Sequence, residues 1–153
     1  MSDHTYRAID IAKWFVAWAD PEDALTNMKL QKLLYYAQGH HLGSNGKPLF
    51  SDSLQAWSHG PVVPAVYHEF KRFGAAPIEL DDSDDFTWDR IDDDTSFYLG
   101  QVWNTYGGFT AARLRNMTHE EAPWLNAWGE GDLRGSTIAV DDMRSFFAPA
   151  AQR

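Results

Sequence analysis

Apolar positions recur at helical spacing along most of this chain. Over residues 8–19, Ala8, Ile11, Ala12, Phe15, Val16 and Ala19 follow the 3.6-residue period. Trp14 and Trp18 widen that stripe and leave a polar strip around Asp10, Lys13 and Ala17, which predicts a mostly buried first helix. Asp20-Pro21-Glu22-Asp23 turns the chain. Thr26 or Asn27 can then cap a second helix running to about Leu42, with Leu30, Leu33, Leu34, Ala37 and His41 on one face and Lys29, Lys32 and Tyr36 on another. The run Gly43-Ser44-Asn45-Gly46-Lys47-Pro48 stops it. Short extended pieces near residues 49–50 and 54–57 predict a small β-hairpin, and Gly60-Pro61 reads as a break after them. Pro64 suits the first turn of a third helix because its missing N–H would have had no partner there. On that helix Val63, Val66, Tyr67, Phe70 and Phe73 share a face, His68, Glu69, Lys71 and Arg72 meet water, and Gly74 is placed to close the end.

Further along, Asp94 or Thr95 can cap a fourth helix carrying Leu99, Val102, Trp103 and Tyr106, ended by Gly107-Gly108. Thr110 can start a fifth through Ala112, Leu114 and Met117. The next stretch reads two ways: Thr118 and Glu121 are spaced as a capping box, or Pro123 forces a break and a fresh short helix over 123–128. After a glycine-rich turn at 129–135, Asp141 can cap a last helix through Met143, Phe146 and Phe147. The sum is a mainly α, compact fold with one small β-hairpin between the second and third helices, and 153 residues suit one domain, 1–153.

Composition sharpens this. Hydrophobic residues make up 44% of the chain, enough for a core without covalent staples, and the lack of cysteine excludes disulfides, thiolate metal sites and a cysteine nucleophile. The N-terminal residues Met1-Ser2-Asp3-His4 lack a leader pattern, and no run of about 18 apolar residues occurs, so a cytoplasmic location away from membranes is expected. Of a formal net charge of −9, residues 79–94 contribute −8, from nine carboxylates and one arginine. A protein that grips phosphates needs a basic face, so no direct nucleic-acid contact is expected. The acidic segment is either a solvated loop or an attractor for a basic partner. As a calcium loop starting at Asp81 it fails, because Phe86 stands at the sixth position, where the sharp turn demands glycine. Weak, adventitious cation binding is the most it allows.

Histidines stand at 4, 40, 41, 59, 68 and 119, and none has ligand spacing. His119-Glu120-Glu121 lacks the second imidazole at i+4 of a zinc-protease motif, and neighbouring His40 and His41 diverge by about 100° around a helix. His41, on the apolar stripe, reads as a hydrogen-bonded, half-buried imidazole. No nucleophile elbow, phosphate loop or dinucleotide fingerprint occurs, so no catalytic, metal or cofactor residue is assigned and the chain is expected not to be an enzyme. The alternatives are a small hydrolase using His59, His119 and nearby carboxylates, or a phage-borne regulator that binds a host enzyme with its acidic segment. The stretch Leu54-Gln55-Ala56-Trp57-Ser58-His59-Gly60-Pro61-Val62-Val63 stands out, since aromatic rings and a Gly-Pro pair lead into a helix start with free N–H groups. It supports two readings: a recognition surface, or a core cap with a chain turn.

Those residues also carry a family likeness. Leu30-Gln31-Lys32-Leu33-Leu34-Tyr35-Tyr36-Ala37-Gln38-Gly39, then Gly46-Lys47-Pro48-Leu49-Phe50, then Ala56 to Pro64, then Val66-Tyr67-His68-Glu69-Phe70 resemble, in order and spacing, the Panacea antitoxin domain, also called SocA-like or phage-associated GepA-like. Thr118-His119-Glu120-Glu121-Ala122-Pro123-Trp124 is similar to that family's Thr-His-x-x-x-Pro-Trp segment, so the likeness spans residues 8–147. The acidic segment is outside it. The resemblance implies an antitoxin that binds a cognate protein toxin encoded by an adjacent gene, with delivery of the toxin to a protease in the SocA-like branch. The expected partner-binding residues are Tyr36, Trp57, His59, Gly60, Pro61, Tyr67 and Trp124, with Lys32 as a polar contact, and the acidic segment steers a basic toxin.

Overall fold

The computed structural model describes residues 5–23, 25–132 and 135–149; the first four residues, with His4, lie outside them. Among the described residues are seven α-helices: α1 Ala8–Trp18, α2 Asn27–Asn45, α3 Pro64–Phe70, α4 Asp93–Tyr106, α5 Ala111–Thr118, α6 Ala122–Trp128 and α7 Val140–Phe146. Between α2 and α3 lies one antiparallel hairpin, β1 Gln55–Trp57 with β2 Gly60–Val62. The mainly helical expectation holds.

Helix α2 is the axis of the molecule. It packs against α1, α3, α4, α5, α7 and β2, and fifteen of its nineteen residues are buried. Its start follows from Thr26, whose hydroxyl accepts the Lys29 N–H at 3.2 Å. It ends three residues later than the sequence suggests, because the stop is Gly46 at φ 77 and not Gly43. Gly43 stays helical for another reason: a Cβ there would stand 2.2 Å from the carbonyl oxygen of Phe147, and one on Gly39 would enter the Phe147 ring at 2.3 Å. The chain beyond α7 therefore seats in a notch that only these two glycines leave open. The second side of α2 is buried as well: Lys29, Lys32 and Tyr36 are inside, and so are Gln31 and Gln38. His41 is hydrogen-bonded as expected, with Nδ1 2.6 Å from the Lys47 carbonyl, but it is buried and not half-buried.

The hairpin pairs a different second strand from the one predicted. Trp57 pairs with Gly60 across a two-residue turn, Ser58-His59, and Ala56 pairs with Pro61. Gly60-Pro61 is thus the returning strand, not a break. Gly60 takes φ 114, open to glycine, and a three-residue edge strand tolerates proline's missing donor. The extended piece at 49–50 pairs elsewhere, with Tyr6 N–H donating to the Leu49 carbonyl at 3.0 Å and Ser51 N–H to the Tyr6 carbonyl at 2.9 Å.

Pro64 opens α3 as predicted. The cap of α4 is Asp92 and not Asp94 or Thr95: its Oδ1 accepts the Thr95 N–H at 2.7 Å, and Oδ2 accepts the Tyr6 hydroxyl at 2.8 Å. Of the two readings around Thr118, the break is the one realised. Thr118 ends α5 with its hydroxyl donating to the Arg115 carbonyl, and Pro123 sits in the first turn of α6. Helix α7 begins at Val140, just ahead of Asp141.

Candidate functional site: the hairpin turn and the polar frame beneath it

Polar side chains of α2 bind the hairpin and α3 from below. Gln31 Oε1 accepts the Val63 N–H at 2.9 Å, Gln31 Nε2 donates to Asn27 Oδ1 at 2.9 Å, and Asn27 Nδ2 donates to the Tyr67 carbonyl at 3.0 Å. Gln31 and Asn27 thus satisfy main-chain groups of Val63 and Tyr67, and the bond between the two side chains fixes both. Lys32 is fully buried and its Nζ donates to the Pro61 carbonyl at 3.2 Å. Burial, with the positive Arg115 as a smaller contribution, pulls its amine down to about 7. Gly60 rests directly on this side chain, where a Cβ would meet Lys32 Cε at 2.5 Å and Thr118 Oγ1 at 3.0 Å.

A second set of bonds ties α2 to the α5–α6 junction. The hydroxyls of Tyr35 and Tyr36 donate to the two oxygens of Glu121, both at 2.9 Å. Burial and the facing carboxylate raise both phenols, and burial raises the Glu121 carboxyl. Trp124 Nε1 then donates to the Trp57 carbonyl at 2.9 Å, so α6 grips the hairpin strand from its other side. The Trp124 ring lies on His119 with centroids 4.2 Å apart.

What reaches the surface is the turn. Trp57 packs edge-on against Tyr67 at 4.9 Å and against His59 at 5.9 Å, and all three are half-buried. His59 lines two hollows. One of about 440 Å³ includes Met28, Gln31 and Tyr67, and the other of about 540 Å³ includes Trp57, Ser58 and Trp128. Burial, with the positive charges of Lys32 and Arg115, lowers the His59 and His119 imidazoles below their usual range.

Of the residues the sequence singles out, Trp57, His59 and Tyr67 form this outer cluster. Lys32, Tyr36, Gly60, Pro61 and Trp124 do not join it at the surface. They lie underneath, and Lys32, Tyr36, Pro61 and Trp124 have polar atoms already engaged within the fold. In this structure burial sets all five beneath the turn. Two participants escaped sequence reasoning: Trp128, whose i,i+4 spacing from Trp124 in a short helix was the available signal, and Met28, which had none. The hydrolase reading gains no support, because the charged neighbours that act on His59 and His119 are Lys32 and Arg115, not carboxylates. Among the described residues no cluster of His, Asp and Glu is arranged to hold a metal ion, and no helix is long and apolar enough to cross a membrane.

The fold and site define a small helical domain whose motif residues brace an aromatic turn from inside. Residues 30–125 match the family described as "Antitoxin SocA-like, Panacea domain". Antitoxin SocA of Caulobacter vibrioides (strain NA1000 / CB15N) is 46% identical over 128 residues, spanning 77% of this chain and 68% of the relative. The chain belongs to the SocA-like, Panacea-domain family of antitoxins. No solved structure matches it.

Proposed function

We propose that this protein neutralises a cognate protein toxin, encoded by a neighbouring gene, by binding it directly through the hairpin turn. The observation that carries the reading is the turn itself: Trp57, His59 and Tyr67 line two hollows, on a frame in which Gln31, Lys32, Tyr36 and Trp124 are hydrogen-bonded. A braced aromatic cluster suits an interface anchor, because little side-chain freedom remains to be lost on association. The acidic segment adds long-range attraction for a basic toxin and raises the encounter rate.

Expression of the neighbouring open reading frame with and without this chain tests the proposal. Growth arrest relieved only by coexpression, with a copurifying complex, is the expected result; a harmless neighbour overturns it. Trp57→Ala, His59→Ala and Tyr67→Ala then locate the contact: at least one costs about 2 kcal/mol of binding with thermal unfolding little changed. The half-life of the toxin in the presence of the chain separates occlusion from delivery to a protease.

A further inference from the structure

A second surface shares no lining residue with the hollows at the turn. A groove of about 770 Å³ runs between α1, the acidic segment and α4. Three large apolar side chains stand out of the fold here, with Trp18 at 51%, Trp88 at 51% and Phe97 at 70% exposure. Exposed aromatic residues gathered at one place mark an interaction site, whereas single ones do not. The wall is preformed: Trp14 and Trp18 stack at 5.2 Å, and Trp88 meets both edge-on at 6.1 and 6.2 Å. On the α4 side Gly100 leaves the groove open, since a Cβ there would meet nothing within 4 Å.

The charge around this groove has one sign. Asp89 and Asp93 line it, and no lysine or arginine does. The cations closest in the fold are already held. Lys13 lies 3.1 Å from Asp84 and 3.6 Å from Asp85, and Arg90 lies 3.1 Å from Asp85 and 3.6 Å from Asp10. Exposed Asp93 and Asp94, in the first turn of α4, hold no cation among the described residues. A second copy of this chain is a poor occupant, because it would bring a net charge of −9 against the same carboxylates.

We propose that this groove is a docking site for a protein segment carrying an aromatic or aliphatic anchor flanked by lysine or arginine. The anchor fills the space between the tryptophans and Phe97, and the flanking cations meet Asp89, Asp93 and Asp94. The site stands whether or not the turn binds a toxin.

A library of random dodecapeptides displayed on phage, panned against the full chain, supplies the probe. The expected enrichment is an aromatic or aliphatic residue with lysine or arginine close on either side. Synthetic copies of the enriched peptides bind Phe97→Ala and Gly100→Leu at least about tenfold more weakly. Gly100→Leu fills the groove while keeping every other wall residue, so a loss of binding with a melting temperature no lower than wild type is not a folding defect. Replacing Asp93 and Asp94 with Asn weakens binding and flattens its salt dependence. Failure to enrich, enrichment of acidic or uncharged peptides, or binding indifferent to both groove variants overturns the proposal. Self-association of the wild type that Phe97→Ala abolishes also overturns it, by placing a second copy in the groove.

Discussion

Around the hairpin turn, most of the residues that make this sequence distinctive face inward, their polar atoms bonded to carbonyls and amides of neighbouring elements. Along the groove of α1, the acidic segment and α4, large rings and carboxylates face outward, and the nearby cations Lys13 and Arg90 are held in ion pairs of their own. The contrast separates two uses of an aromatic or charged side chain. Inside, it sets the position of a backbone turn and its removal costs stability. Outside, it is available to a partner and its removal costs little stability.

Substitutions test this division, beginning with the largest effect. Gly60→Ala places a Cβ against Lys32 and Thr118 at a positive φ, and should lower unfolding free energy in urea by about 3 kcal/mol. Next comes Lys32. Its amine titrates at about 7 in the fold against 10.5 ordinarily, so between those values the unfolded chain holds more protons and stability rises with pH. Below about pH 7 both states are protonated and the contribution is flat at its minimum. Lys32→Met should remove a slope of about 1 kcal/mol per pH unit, measured as wild type minus variant from pH 7 to 9. Tyr36→Phe leaves one oxygen of Glu121 without its donor and should cost about 1 to 2 kcal/mol by the same assay. Phe97→Ser, at the exposed groove, should stay within about 0.5 kcal/mol of wild type. A large loss at Phe97, or none at Tyr36, would erase the distinction.

Local signals were legible in the sequence where one residue decides a backbone state. Thr26 capping α2, Pro64 opening α3 and Pro123 breaking the chain before α6 each act within a few positions. The hairpin register was not, because three-residue strands carry too little alternation to fix it and a glycine at positive φ looks like a break. Burial of Lys32 and Tyr36 was hidden for a different reason. A helix lysine is ordinarily exposed, and the acceptors that hold these two lie 29 and 85 positions away, on Pro61 and Glu121. The groove was missed because Trp14 and Trp18 were assigned to one buried stripe. Trp14 is indeed inside at 2% exposure, but Trp18, one turn on, is half outside.

Because six other elements rest on α2, none can peel off without wetting the axis that the rest depend on. Amide protons midway along that helix should therefore be among the slowest in the molecule to trade with deuterium.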